Sequence, residues 1–251
     1  MSITTIFEKG KIGNFDYKVI GLSMTGLSHV KNEIENQDSF GFHKNSNGVL
    51  IAVADGVGSC VKSKAGSIYA IETIKTLYDI IENGEIRVYA NTKIKKFIIS
   101  KWKSKLEGPI RDYSTTLKFA IISISNILLG GIGDGEIFAT IDNVDYSLQN
   151  NVEFFSNITY SLTDDIDEDK FEIIKVDLPT DFKVLNIFIG TDGITCELQS
   201  SKKIEFLNYL SKKVRNNEDN YEVDIINWTS SLQEKNGDDK TMILFTMERS
   251  T

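Results

Sequence analysis

Cysteine and histidine are scarce in this sequence of 251 residues, and their scarcity excludes several kinds of catalytic site. The two cysteines, Cys60 and Cys196, stand far apart in unlike contexts, so we expect no disulfide framework and a reducing compartment. The two histidines, His29 and His43, are too few for a zinc hydrolase or a histidine-rich metallophosphatase. Neither a GxSxG motif nor a Ser-His-Asp constellation stands out.

Two motifs that handle phosphate are also missing. A cysteine-based phosphatase needs an arginine six residues after its nucleophile, but Gly66 follows Cys60 and Lys202 follows Cys196 at that distance. The segment GVGSCVKS resembles the phosphate loop GxxxxGK[ST], but Val61 replaces the second glycine. A β-branched residue resists the backbone turn that this glycine allows. We therefore exclude a thiol phosphatase and do not favour an NTPase.

Long hydrophobic runs and an excess of positive charge are absent as well. No apolar segment approaches the roughly 20 residues that span a bilayer, and the N-terminal residues MSITTIFEKGKIG lack the apolar stretch of a signal peptide. The formal net charge is −8, whereas surfaces that bind nucleic acid or anionic membranes collect lysine and arginine. We therefore expect a cytoplasmic monomer with neither nucleic acid nor a membrane as its partner.

The pattern that is present predicts short strands with helices grouped between them. Segments rich in Ile, Val, Phe and Thr and bounded by Gly, Asn or Asp predict the strands: DYKVIGLSM, SFGFHK, GVLIAVAD, STTLKFAIISIS, NILLGGIGD, EIFATID, FEIIKV and VLNIFIGTD, together with the apolar strand that follows Asp239 in NGDDKTMILF. The Asn-Gly pair in FHKNSNGVLI favours an antiparallel hairpin. Helical patterns cover 60–82, 88–106 and 202–235, the last broken near RNNEDN. This grouping favours sheets with helices on their outer faces over a strictly alternating parallel fold.

Aspartates recur where these apolar segments end or begin. These aspartates are Asp38, Asp55, Asp134, Asp192, Asp238 and Asp239. A glycine directly follows Asp55, Asp134 and Asp192. A single Asp-Gly pair is most often only a turn, but converging carboxylates repel one another unless cations neutralise them. Oxygen ligands suit Mg²⁺ and Mn²⁺, and two such ions can polarise a phosphoryl group and activate water. The recurrence therefore favours a dinuclear metal site.

Six motifs follow one another between residues 26 and 246: ENQDSF, VADGVGS, STTL, GIGDGEI, GTDGI and DDKTMILF. In this order they resemble the metal-dependent Ser/Thr protein phosphatases of the 2C type. GLSHVKNEIENQDS and NITYSLTDD are similar to a bacterial branch of that family. The resemblance implies a single domain over residues 1–251 with an α+β fold, a four-layer α/β/β/α sandwich of two antiparallel sheets flanked by helices. The metals would lie in a cleft at one end of this sandwich.

The resemblance also implies a role for each aspartate in binding two Mn²⁺ or Mg²⁺ ions. Asp55 would bridge the two ions, with the backbone carbonyl of Gly56 as a further ligand. Asp192 and Asp238 would complete the shell of the first ion, and Asp38 would hold metal-bound water. We interpret Asp38, Asp55 and Asp192 as the catalytic set.

Three further positions match the family pattern. Asp134 corresponds to the acidic residue of a third-ion site, so a third ion is implied there. Thr115 and Thr116 fall on a threonine pair that we interpret as structural support for the strand rather than as catalytic groups.

The sequence departs from the family pattern where phosphate should bind. The family's phosphate-binding arginine lies five residues before the motif aspartate, and Glu33 stands there. Lys31 and His29 are candidates for the missing cation. The family's GDSR motif is GDGE here, and Val57 stands where some members place a histidine as proton donor. None of these departures removes a predicted metal ligand.

The function implied by the resemblance is hydrolysis of phosphoserine and phosphothreonine by a water that two metal ions activate. The substrates would be phosphorylated proteins, produced by a Ser/Thr kinase. A second hypothesis is a non-catalytic module that binds or regulates phosphoproteins, because Glu33 puts a negative charge where phosphate is expected. Retention of all the metal aspartates favours the enzyme.

Overall fold

The fold is built on two antiparallel β-sheets. The computed structural model describes residues 2–82, 90–142, 144–148, 160–232 and 237–250. Sheet A has the strand order β1-β2-β11-β10-β7-β8, with β1 Ile3–Ile12, β2 Phe15–Met24, β7 Glu136–Ile141, β8 Val144–Leu148, β10 Val184–Gly190 and β11 Lys240–Arg249. Sheet B has the order β3-β4-β5-β6-β9, with β3 Ser39–Lys44, β4 Gly48–Ala54, β5 Leu117–Ser123, β6 Asn126–Ile132 and β9 Glu172–Asp177.

The two sheets pack face to face, and helices cover their outer faces. Strand β4 shows why its sequence is apolar without alternation: Val49, Ile51 and Val53 belong to the core between the sheets, whereas Leu50 and Ala52 face the helices. A strand that is buried on both faces needs apolar residues at every position. This arrangement leaves the strand ends as the places where polar side chains can gather.

The four longer helices form the outer layers of the sandwich. The α-helices among the described residues are α1 Leu27–Lys31, α2 Ser63–Glu82, α3 Asn91–Lys103, α4 Asp192–Thr195, α5 Lys203–Arg215 and α6 Tyr221–Ser231. Helices α2 and α3 bury Ile74, Leu77 and Trp102 against sheet B, and α5 buries Leu207 and Val214 against sheet A. These apolar residues recur at helical spacing, as an amphipathic helix requires. The predicted four-layer α/β/β/α sandwich is confirmed.

The sequence prediction missed two strands and misplaced some helix ends. Strands β1 and β8 are edge strands of sheet A and are largely exposed, so neither carries the dense apolar signal of a buried strand. Helix α2 begins at Ser63, whereas the prediction began at residue 60. Residues 88–89 and 233–235 of the predicted helices, and residues 157–159 of NITYSLTDD, lie outside the described residues. The predicted β3–β4 hairpin is confirmed.

Gly66→Ala is expected to lower the free energy of unfolding by about 3 kcal/mol, because even a methyl side chain would overpack this site. A Cβ at Gly66 would stand 1.9 Å from the carbonyl oxygen of Tyr113. The helix cannot shift freely, since the Gly66 carbonyl accepts a hydrogen bond from Trp102 Nε1 at 3.1 Å. Urea unfolding measures the effect. The matched control is Gly58→Ala, whose Cβ would meet no atom closer than Gln37 Oε1 at 3.6 Å. Equal stability of the two variants would contradict the prediction.

Candidate metal centre

Three carboxylates from different strands converge at one end of the sandwich. Single carboxylate oxygens of Asp55, Asp134 and Asp192 all lie within 4.8 Å of one another. Asp55 follows β4 and Asp134 follows β6 in sheet B, whereas Asp192 follows β10 in sheet A. Both sheets therefore contribute, and the packing of the two sheets determines the spacing. The grouping includes Asp134, which the sequence analysis assigned to a third-ion site.

The backbone of Asp55 is held by Thr115 and Thr116, the two threonines that directly precede β5. The Asp55 amide donates to Thr116 Oγ1 at 2.9 Å, and the Asp55 carbonyl accepts from the Thr116 amide at 2.7 Å and from Thr115 Oγ1 at 2.8 Å. Thr115 is itself paired in both directions with the backbone of Leu162. The predicted structural role of Thr115 and Thr116 is confirmed. Leu162 was not anticipated from the sequence, because it lies in a segment without strand character.

Asp38 is the most buried carboxylate of the centre, with 2% of its surface exposed. Its Oδ2 accepts a hydrogen bond from Thr191 Oγ1 at 2.9 Å, and its charge acts on the carboxyl group of Asp55. Thr191 is buried and precedes Asp192, so one short turn positions two acidic groups. Thr191 was not predicted as a site residue, because only Asp192 of the GTDGI motif has an assigned role.

The two adjacent aspartates before β11 differ in what they contact. Asp238 is exposed and lies outside the group of three carboxylates, but its charge acts on both Asp55 and Asp192. Asp239 is buried, and its carboxylate accepts hydrogen bonds from the amides of Gly26 and Gln37 at 2.7 and 2.6 Å. Asp239 therefore ties the start of β11 to the segments that flank α1, a role that sequence reasoning did not anticipate.

Both candidate phosphate-binding residues, His29 and Lys31, lie on the short helix α1. His29 Nδ1 lies 2.9 Å from Asp239 Oδ2, and the His29 side chain is 15% exposed. Lys31 is exposed at the end of α1. Glu33 is also exposed and has a φ of 55°, in the left-handed region that non-glycine residues seldom adopt. The contact with Asp239 thus connects His29 to the acidic centre, and the described residues show no such contact for Lys31.

Burial and mutual repulsion raise the pKa values of the clustered carboxyl groups. Burial, and then the charge of Asp239, raise the pKa of Asp38 to about 7. Burial, and then Asp134 and Asp238, raise the pKa of Asp192 to about 6. Burial, and then Asp38, Asp192 and Asp238, hold the pKa of Asp55 well above its usual range. Carboxylates crowded together in this way need positive charge to be stable in their ionised forms.

A family model described as protein phosphatase 2C matches residues 25–229 of the sequence. The chain belongs to the protein phosphatase 2C family. The match covers the segments that carry Asp38, Asp55, Asp134 and Asp192, and it confirms the resemblance inferred from the ordered motifs. The sequence matches no curated protein.

Solved structures show the same fold at low sequence identity. A bacterial serine phosphatase superposes with a TM-score of 0.63 at 16% identity, covering 93% of this chain and 98% of its own. The catalytic domain of the serine/threonine phosphatase PstP, crystallised with two manganese ions, gives 0.62 at 15% identity and covers 93% and 99%. RsbX in complex with magnesium gives 0.58 at 13% identity and covers 97% and 100%. At these identities, the likeness establishes the fold of this phosphatase 2C member.

The residues of the centre fit a hard divalent cation. All the clustered donors are oxygens, the ligand type that Mg²⁺ and Mn²⁺ prefer. Asp192 Oδ1 is buried and accepts no hydrogen bond from any described residue, so this oxygen lacks the partner that a buried acceptor requires. A bound cation would meet that need and would also favour the ionised forms of Asp38 and Asp192.

Cys196 is a poor candidate for a nucleophile beside this centre. Cys60 and Cys196 are both free thiols. Burial of the sulfur, and then the charges of Asp192 and Asp134, raise the pKa of Cys196 to about 11. A thiol with so high a pKa is a poor nucleophile at neutral pH.

No helix among the described residues is long and apolar enough to span a bilayer.

Proposed function

We propose that this phosphatase 2C member is a metal-dependent protein serine/threonine phosphatase, which hydrolyses phosphoserine and phosphothreonine in proteins. The observation that carries the proposal is the convergence of single carboxylate oxygens of Asp55, Asp134 and Asp192 within 4.8 Å of one another, with the buried Asp38 acting on Asp55 beside them. A structural role alone would not explain why acidic groups are crowded there with raised pKa values. Family membership supports the same reaction class.

Two Mn²⁺ or Mg²⁺ ions would be held by Asp55 and the Gly56 carbonyl, by Asp192 and Asp238, and by Asp38, with Asp134 as the acidic group of a third position. Bound there, the ions would supply Lewis-acid charge to the phosphoryl group and activate water for attack. The protein's own contribution is to keep these groups in place: Thr115 and Thr116 hold the Asp55 backbone, and Thr191 orients Asp38.

Substrate phosphate would bind beside α1, with His29 as the main candidate and Lys31 as a second. His29 is the better candidate because Asp239 holds one of its ring nitrogens, which orients the ring and leaves the other nitrogen available for a proton or a phosphate oxygen. Glu33 is exposed, and its backbone adopts the left-handed conformation, so its side chain need not point toward the phosphate. With Val57 after the Asp55-Gly56 pair, protonation of the leaving oxygen falls to water or His29.

The cellular context of this proposal follows the sequence expectations. We infer a single domain over residues 1–251 that acts as a monomer in the cytoplasm on proteins phosphorylated by a Ser/Thr kinase. The two free cysteines and the net charge of −8 support a reducing compartment and a protein substrate rather than nucleic acid.

Phosphate release from phosphothreonine and phosphoserine peptides tests the proposal directly. We expect turnover in Mn²⁺ or Mg²⁺ and a loss of at least about a thousandfold in excess chelator, because hydrolysis would depend on the ions. Re-addition of Mn²⁺ should restore the rate. Equal turnover with and without chelator would refute a metal-dependent phosphatase. Mn²⁺ uptake without any phosphate release would instead favour the non-catalytic phosphoprotein-binding module.

A further inference from the structure

A lysine is buried between the two sheets, just inside the acidic centre. Lys118 lies on β5 two residues after Thr116, the threonine that holds Asp55, and only 1% of its surface is exposed. Its Nζ makes no hydrogen bond with any described residue. Burying an ammonium group without a partner is costly, so such a residue requires a compensating charge nearby. Lys118 therefore calls for an electrostatic explanation.

The neighbouring strand leaves room for this side chain. Lys118 stands opposite Val53 of β4 and Gly131 of β6. A Cβ at Gly131 would come within 2.5 Å of Lys118 Cδ, so the lysine stem passes over the glycine. Glu172 of β9 is the residue paired with Gly131 on its other side. The stem thus runs across β6 in the interior of the sandwich, and any larger residue at Gly131 would block it.

The charges that act on the Lys118 ammonium come from three acidic residues. In order of effect they are Glu172, Asp134 and Glu136. Glu136 forms an ion pair with Lys203 on α5, whereas Asp134 belongs to the group of three clustered carboxylates. Burial lowers the pKa of Lys118 to about 8, which leaves the ammonium largely protonated at neutral pH. A buried positive charge therefore acts on the Asp134 side of the centre.

We propose that Lys118 is a positioning residue that acts as a fixed internal cation on the Asp134 side of the centre and thereby opposes binding of a further divalent ion there. This inference rests on the proposed metal-dependent function. Since like charges repel more strongly in a buried environment than in water, the ammonium reduces the affinity of Asp134 for an additional cation. A third ion at Asp134 would then bind more weakly than the other two ions of the centre.

Mn²⁺ binding by Lys118→Met tests this inference. Methionine keeps most of the length of the stem and removes the charge. We expect the variant to bind one more Mn²⁺ per chain than the wild type, or to bind its weakest Mn²⁺ at least about tenfold more tightly, in equilibrium dialysis with metal analysis. Lys118→Arg, which keeps the charge, should match the wild type in the number of ions bound.

A matched control separates this effect from the loss of any lysine. Lys18 lies on β2, and its ammonium donates to the carbonyls of Val214 and Arg215, so Lys18→Met should leave Mn²⁺ binding unchanged. If Lys118→Met does not fold, Lys118→Gln provides the same test, because glutamine also removes the charge and keeps a polar side chain. The affinity for the weakest Mn²⁺ should again rise at least about tenfold.

The outcomes distinguish this inference from the proposed function. A wild-type protein that binds no Mn²⁺ would overturn both. A wild-type protein that binds Mn²⁺, together with Lys118→Met that binds the same number of ions with the same affinity, would overturn only the role of Lys118. If Lys118→Gln is the variant used, unchanged Mn²⁺ binding would have the same consequence.

Discussion

Asp192→Asn is expected to lower Mn²⁺-dependent phosphate release from a phosphothreonine peptide by about a thousandfold or more. The substitution keeps the size of the side chain but replaces one carboxylate oxygen in a group whose members lie within 4.8 Å of one another. It also removes the negative charge, so the buried oxygen that has no hydrogen-bond donor among the described residues becomes a neutral amide oxygen, which is a weaker ligand for a divalent cation. Asp55→Asn should have an effect of the same order, because Asp55 belongs to the same group of carboxylates and is flanked electrostatically by Asp38 and Asp192. Steady-state assays at saturating Mn²⁺ measure both.

Asp177→Asn is the matched control for these variants. Asp177 ends β9 and has a side chain that is 81% exposed, so the same chemical change there should leave turnover unchanged. Thermal unfolding in chelator completes the test. The metal-free Asp192→Asn protein should unfold at a temperature no lower than the wild type, since one repelling charge has been removed. Wild-type turnover by Asp192→Asn or Asp55→Asn would show that these carboxylates do not hold the catalytic ions.

The metal-free protein is expected to lose stability as the pH rises from about 4 to 7. The folded state raises the pKa of Asp38 from 3.8 to about 7 and that of Asp192 from 3.8 to about 6. In this window the folded protein therefore holds protons that the unfolded chain has released. The free energy of unfolding then decreases with increasing pH, and Asp38 alone accounts for about 4 kcal/mol. Below pH 4 this loss of unfolding free energy is absent, and above pH 7 it is complete.

Urea unfolding at pH 5 and pH 7.5 measures this dependence, with chelator in one series and Mn²⁺ in the other. Mn²⁺ should remove most of the difference, because a bound cation favours the ionised carboxylates. Asp38→Asn should flatten the chelator series, since asparagine does not titrate. A metal-free protein that is more stable at pH 7.5 than at pH 5 would contradict the raised pKa values.

Much of the fold could be predicted from the residues alone. Strands such as β4 and β10 are buried on both faces, so their continuous apolar runs identify them without knowledge of their neighbours. The edge strands β1 and β8 could not be identified in this way, because an exposed strand is stabilised mainly by hydrogen bonds to its neighbour and tolerates most residues. Strand β1 depends on its pairing with β2, which no local pattern reports.

The candidate centre could be predicted in composition but not in geometry. The position of Asp38, Asp55, Asp134 and Asp192 beside apolar segments marked them as a set. The structure groups Asp134 with Asp55 and Asp192, and leaves Asp238 exposed outside that group. Which oxygens come within a few ångströms of one another depends on how two separate sheets are packed, and periodicity within a strand cannot supply that information.

The sequence by itself determined the class of chemistry, because the scarcity of cysteine and histidine and the recurrence of aspartate at strand ends are properties of residue type and order. Only the tertiary structure decided which side chains support that chemistry. Thr191 against Asp38, Asp239 against His29 and the buried ammonium of Lys118 are contacts or placements between distant segments. Their energies depend on burial and distance, which arise when the two sheets close over a common core.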